Sequence, residues 1–456
     1  MVFLATASAS LKLLIICLAV KYLSDTKKIP ANTSVVLARI SFQLLIPCML
    51  FVKVVQILAM QTLDTRLLLG MGAAAVLQIG IGSVWGRLLA PLVDEGDGGW
   101  LIFNKRRRAS HAVAEATSRA IGVATTKAAL LPKPERASKG FKSLVAMASA
   151  FQNSFTLPAV FLLSLLPGTV ADRAVAYLGL YLLAWSPCLW SFGLYTIQKA
   201  YREESIQSEA GRGGNEKFGF RDMMKNTLNP PVVAVFVAAA LGLTPAGKAL
   251  FGLQASTAAT LPLELSILYY MFQNVYEVVQ MLGEGTLPIQ TLVLAASLLD
   301  SSSGRESRSN TLERKENEDI DETESSTATG SGNVGIVKSI VGFFRGDSVV
   351  EARALTILAT IRFVLMPTSA VLVYKLCSRI PLFAPVLADP ILMFVLAVQA
   401  VMPSAQNLLI ALQLSPHTQG AAGGLARLLL KLYALAILPV TLWVTGFASR
   451  LAVPLL

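Results

Sequence analysis

The sequence predicts an all-α polytopic membrane protein with about ten transmembrane helices, in two inverted five-helix repeats whose fourth and ninth helices are broken and crossed. Three observations predict it. Hydrophobic residues make up 54% of the chain and charged ones only 15%, where a soluble domain carries roughly 25% charged residues; the mean hydropathy is +0.60. Apolar runs such as 67–92 and 425–442 match the roughly 20 residues that span a hydrocarbon core. Two further runs, one in each half of the chain, are interrupted by proline set among amides.

Polar punctuation places the first five spans at 3–23, 34–57, 67–92, 142–166 and 173–198, and the second five at 230–247, 279–299, 353–376, 388–413 and 422–449. The first lacks a basic stretch before it. Its small residues, Ala5 to Ser10, precede the run Leu11 to Val20, so it reads as a retained span and not a cleaved signal. The sixth and seventh have short apolar parts, Pro230 to Leu243 and Thr286 to Leu299. Between them Leu265 to Leu282 carries Gln273, Asn274, Glu277 and Gln280, and reads as an interfacial amphipathic helix feeding the seventh span.

These spans divide the chain into a first repeat, 1–198, a cytoplasmic linker, 199–229, and a second repeat, 230–456. The first repeat contains the basic loop 93–141. The second contains the loop 300–349, whose Ser, Glu and Thr content predicts disorder.

The net charge of +11 follows a topology rule and does not point to nucleic acid. Lys27, Lys28, the run Lys105 to Arg108, and Lys199, Arg202, Arg212, Lys217, Arg221 and Lys225 all fall on one side. The opposite loops hold Arg66, Arg173, Lys248, Lys375 and Arg379. Basic loops stay cytoplasmic, so both termini are expected on the non-cytoplasmic side. The cysteines are scattered through apolar runs, and His111 and His417 have no ligand spacing to a partner. No metal, no cofactor and no enzymatic nucleophile with its base are expected.

The repeat is visible in the fifth and tenth spans. Tyr181-x-Leu183-Ala184, Pro187 and Leu189-Trp190-x-x-Gly193 are echoed by Tyr433-x-Leu435-Ala436, Pro439 and Leu442-Trp443-x-x-Gly446. Five spans is an odd number, so a second copy must lie upside-down relative to the first, the arrangement of many alternating-access carriers.

The candidate site lies where the fourth and ninth spans break. The fourth carries Gln152-Asn153-Ser154-Phe155-Thr156-Leu157-Pro158, and the ninth Met402-Pro403-Ser404-Ala405-Gln406-Asn407. Proline removes a donor and clashes with the preceding turn, and backbone groups so freed inside a bilayer must face protein, water or solute. Two such breaks crossing at the midplane would aim half-helix N-termini and amide side chains at one point, a setting suited to a carboxylate. The competing reading is a pair of proline kinks with Ser and Asn as interhelical glue.

Among charged residues near the spans, Lys12, Arg39, Lys53, Arg87 and Arg362, only Arg362 lies deep, where a charge costs at least about 2.5–3.5 kcal/mol. It is either paired with a carbonyl or lends positive potential to an anion pathway, as Lys12 would. No Asp or Glu sits squarely inside a span, which leaves any coupling ion unread.

Several stretches resemble the auxin efflux carrier superfamily, its PIN-likes branch more than its long-loop PIN members. They are Asn226-Thr227-Leu228-Asn229-Pro230-Pro231, Leu282-Gly283-Glu284-Gly285-Thr286-Leu287-Pro288, and Asp389-Pro390 followed by Gln399 and Met402-Pro403. Lys12 and Ile361-Arg362-Phe363 match as well. The likeness covers nearly all spans and no loop. It implies the ten-span inverted-repeat fold, auxin-like indole carboxylates as substrates, and an address in the endoplasmic reticulum membrane, with the plasma membrane second. Asn153, Pro158, Pro403 and Asn407 match its crossover positions. Thr156 stands where the family often has a second asparagine, and loop 93–141 is longer than the family pattern. The expected substrate-binding set is therefore Asn153, Thr156, Pro158, Pro403, Gln406 and Asn407, with Arg362 and Lys12 as pathway charges. The expected partners are a small organic acid and the lipid bilayer, with a homodimer allowed. An ion-coupled organic-anion symporter and a non-transporting solute sensor are the other functions this sequence accommodates.

Overall fold

A computed structural model describes residues 32–60, 65–93, 137–208, 228–252, 263–298, 348–380 and 383–453, with a few isolated positions before residue 32. Most of the first span, including Lys12, and most of the three long loops lie outside the described residues. Of the described residues 89% are helical and none forms a strand, and six helices among them are long and apolar enough to cross a membrane.

Helix α1 runs Thr33–Ile40, a π-turn Ser41–Leu45, then Ile46–Met60. α2 is Thr65–Leu89, and α3 is Lys139–Ala150, started by Ser138, whose hydroxyl caps Phe141 N. After a break comes α4, Thr156–Leu165. α5 joins Gly168–Cys188, a π-turn Leu189–Gly193 and Leu194–Ser208. α6 is Pro230–Leu243, capped by Asn229, and α7 is Pro245–Gly252. α8, Leu263–Glu284, turns at Gly285 into α9, residues 286–298. α10 joins Val349–Thr360, a π-turn Ile361–Leu365 and Met366–Cys377. α11 is Pro390–Val401, α12 is Asn407–Gln413, and α13 is Pro416–Arg450.

One element differs from its expectation. The segment read as an interfacial helix is part of a continuous apolar stretch, Tyr269–Leu298, long enough to cross a membrane. Its polar positions do not prevent this, because they sit to one side. Asn274 and Glu277 are exposed, while Phe272 and Tyr276 meet Phe251 edge-on at 5.2 Å.

Burial follows what a bilayer allows. One face of α2 exposes Leu69, Val76, Val84 and Leu88, and α13 exposes Leu438 and Leu442; in lipid such faces need no cover. Two short helices, α11 and α12, are enclosed. From Phe394 to Val401 every residue of α11 is buried, as is Leu408 to Gln413 of α12. A short helix apolar on all sides belongs inside a bundle.

All three π-turns lie beside prolines. Ser41–Leu45 precedes Pro47, Ile361–Leu365 precedes Pro367, and Leu189–Gly193 follows Pro187. Before Pro47 and Pro367 a widened turn relieves the clash of the ring with the carbonyl four residues back. In α10 that carbonyl belongs to Phe363, and the indole N–H of Trp443 donates to it at 2.8 Å.

Candidate functional site: the crossing of two broken helices

Helices α3 and α11 both stop in mid-bundle, and the chain leaves each in extended conformation at Phe151 and Met402. The two extended segments run antiparallel and pair through their backbones. Asn153 N donates to Pro403 O at 2.8 Å, Ala405 N donates to Phe151 O at 2.9 Å, and Gln152 faces Ser404.

A helix end leaves carbonyls without partners, and several here are met by side chains from other segments. Ala148 O accepts from Ser404 Oγ at 2.6 Å. Ser149 O accepts from Arg362 Nη1, and Met402 O from Arg362 Nε, both at 3.1 Å. Ser404 O accepts from the Tyr433 hydroxyl at 3.2 Å. Ser154 O, the carbonyl to which residue 158 would donate in a continuous helix, accepts instead from Gln399 Nε2 at 2.6 Å. Pro158 and Pro403 thus shape the breaks without supplying side-chain groups. Pro158 lies in the first turn of α4, where its missing N–H needs no partner.

Close approach of α2 brings in a second layer. A Cβ on Gly82 would lie 2.5 Å from Ser149 O, and one on Gly86 would lie 2.7 Å from Ala146 O. The four-residue spacing of these glycines lets the two backbones touch. Gln78, one turn earlier, reaches the crossing. Its Nε2 donates to Leu396 O at 2.9 Å and to the Tyr374 hydroxyl at 2.5 Å. Its Oε1 accepts from Gln152 Nε2 at 3.0 Å and from the Tyr181 hydroxyl at 2.9 Å.

A cavity with about 380 Å³ of empty space, part of it open to solvent, lies beside the crossing. Asn153, Ser154, Phe155 and Thr156 line it from one break, and Ala405, Gln406 and Asn407 from the other. α1 adds Ile46, Met49 and Leu50, α5 adds Leu182 and Trp185, and α9 adds Gln290. Lys53 of α1 stands over the Phe155 ring, 5.9 Å from its centroid.

The expected site residues separate into groups. Asn153, Thr156, Gln406 and Asn407 come together in the cavity wall, whereas Pro158, Pro403 and Arg362 do not line it. Arg362 is fully buried and holds carbonyls. Lys12 lies outside the described residues. Asn153 is engaged: its Nδ2 donates to the Tyr433 hydroxyl at 2.8 Å, and its Oδ1 accepts from Leu157 N at 3.3 Å. Asn407 is different, since its buried Oδ1 has no partner among the described residues, and neither has the buried indole N–H of Trp185. The wall therefore presents one unmet acceptor and one unmet donor, each costly while it stays unmet.

Sequence reasoning did not find Gln78, Trp185 or Tyr374, and it met Gln399 only as part of the family motif. Tyr181 and Tyr433 carried a signal, because they are the matched tyrosines of the two halves. Both hydroxyls reach the crossing, Tyr181 at Gln152 and Tyr433 at Asn153. A second ionic group was also missed. Glu351 of α10 meets Lys431 Nζ and Arg427 Nε of α13, each at 3.3 Å, with Glu351 and Lys431 both buried.

No protein-family model matches this sequence, and no curated protein matches it significantly.

Proposed function

We propose that the protein is a membrane carrier that moves a small organic anion, of the kind of an auxin-like indole carboxylate, by alternating access about the crossing. The observation that carries this reading is the pairing of unmet groups in one cavity wall. Trp185 offers an N–H to a carboxylate oxygen, and Asn407 offers a carbonyl to a ring N–H. The aliphatic side chains of Ile46, Met49, Leu50 and Leu182 provide the apolar bed that an aromatic ring needs.

In this reading the ten spans form two inverted five-helix repeats. The tyrosines that match between the halves, Tyr181 bonded to Gln152 of the fourth span and Tyr433 to the Ser404 carbonyl of the ninth, support that symmetry. Rocking of one group of helices against the other would expose the cavity to each side in turn. Both termini are placed on the non-cytoplasmic face, and the endoplasmic reticulum membrane is the expected address.

The test is uptake of labelled indole-3-acetic acid into proteoliposomes by wild type and Asn407→Ala. Saturable uptake that the substitution largely abolishes is the expected result. Uptake that the substitution leaves unchanged would remove Asn407 from the site. Absence of uptake above empty liposomes, with a control carrier active, would discard the indole carboxylate, and a panel of other organic acids would follow.

A further inference from the structure

Two helix C-termini point at one guanidinium. Ser149, in the last turn of α3, and Met402, the residue that follows α11, have carbonyls that accept from Nη1 and Nε of Arg362 at 3.1 Å each. Such carbonyls carry the negative ends of the helix dipoles. No carboxylate pairs with Arg362 among the described residues, although it is fully buried. Its charge is balanced by backbone oxygens.

The surroundings hold more acceptors than donors. Gln152 Oε1 and Gln399 Oε1, one in the first break and one in the last turn of α11, are buried without partners, while on the donor side the Nη2 of Arg362 is also unmatched. Carbonyl ends of interrupted helices together with amide oxygens are the chemistry that binds alkali cations in membrane bundles.

We propose that the crossing is a monovalent-cation site filled by the protein itself. Arg362 is a tethered cation in a cradle of Ser149 and Met402 carbonyls, and the crossing therefore needs no sodium. On the carrier reading above, it follows that solute flux is independent of sodium. The cradle itself does not rest on that reading.

The test is thermal unfolding of the purified full chain in detergent, which requires neither solute nor flux. Wild type, Arg362→Ala and Arg362→Gln are compared in a choline buffer, then with guanidinium chloride or sodium chloride added to ~50 mM, a range in which a weakly held ligand already shifts the midpoint. The expected midpoint of Arg362→Ala lies several degrees below wild type. Guanidinium recovers at least half of that loss, sodium recovers part of it, and neither raises the wild-type midpoint. Arg362→Gln, which keeps donors and loses the charge, stays low. The proposal is overturned if Arg362→Gln is as stable as wild type, if Arg362→Ala responds to neither cation, or if sodium stabilises wild type. Should Arg362→Ala fail to fold, Arg362→Lys decides the matter: a midpoint above that of Arg362→Gln is expected, and one no higher rejects the tethered cation. Loss of the carrier reading would show separately, as absent uptake with these midpoints intact.

Discussion

Gln399 gives the carbonyl of Ser154 the donor that Pro158 lacks. The amide nitrogen of α11 sits 2.6 Å from that oxygen, on the far side of the crossing. Each break thus relies on the other helix for hydrogen bonds it cannot make itself, and neither is stable in a bilayer alone. Replacing Gln399 with leucine keeps the volume near constant and removes the donor. The expected loss is about 1–3 kcal/mol, the penalty for a buried carbonyl left without a partner. Chemical denaturation in mixed micelles measures it, and an unchanged transition would mean that water serves Ser154 instead.

The two asparagines of the cavity wall should behave oppositely. Asn153 is bonded to Tyr433 and to Leu157 N, so Asn153→Ala is expected to cost about 1 kcal/mol or more of stability. Asn407 Oδ1 has no partner to lose, so Asn407→Ala leaves the unfolding midpoint unchanged or raises it, while abolishing uptake. Measuring both properties on both variants separates a structural amide from a solute-binding one.

Trp185→Phe removes only the indole N–H and keeps a ring against Phe151, which it meets edge-on at 5.9 Å. Because that N–H is buried without a partner, stability should hold. If it receives the carboxylate, the concentration for half-maximal uptake should rise about tenfold, the equivalent of ~1.4 kcal/mol. Uptake kinetics with wild-type affinity would assign the carboxylate to another group.

Glycine positions on α2 offer a graded test of packing. Gly82→Leu places a Cβ 2.5 Å from Ser149 O, whereas a Cβ on Gly80 meets nothing within 4 Å. Gly82→Leu should therefore abolish a monodisperse peak on size-exclusion chromatography. Gly80→Ala should unfold at the wild-type temperature or above, since alanine favours a helix by about 1 kcal/mol over glycine. Equal behaviour of the two variants would contradict the close contact of α2 and α3.

Glu351 serves two cations, with Lys431 only 3% exposed at its side chain. Glu351→Gln leaves that cluster with less negative charge in a place water does not reach. The expected loss is about 3–5 kcal/mol, and Glu351→Gln combined with Lys431→Met should recover much of it. A thermal-shift series over the two single variants and the double variant reads the coupling directly.

Much of the architecture could be read along the chain, because a span is a local property. About 20 apolar residues suffice to specify one, and the helices around Ile46, Val76, Leu182, Leu358 and Leu429 lie where the runs predicted. The breaks were equally legible, since Pro158 sits in the first turn of the helix after one break and Pro403 just beyond the helix end at the other, positions that suit proline. The Tyr269–Leu298 stretch is long and apolar enough to cross a membrane, and which side of it packs on α1 is set by tertiary contacts that the order of polar residues does not give.

The sequence by itself determined that the chain is helical and apolar enough for a membrane, and where two of its helices stop. Only the tertiary structure decided what those stops do. Arg362 lies 213 residues from Ser149, and Gln399 lies 245 from Ser154. No periodicity or spacing connects such pairs. Hydropathy reports what each segment avoids, namely water, whereas the partner of a buried polar group depends on which distant backbone arrives beside it. That is why Asn153 and Asn407 look alike in the sequence, and why only folding makes one a bonded brace and leaves the amide oxygen of the other without a partner among the described residues.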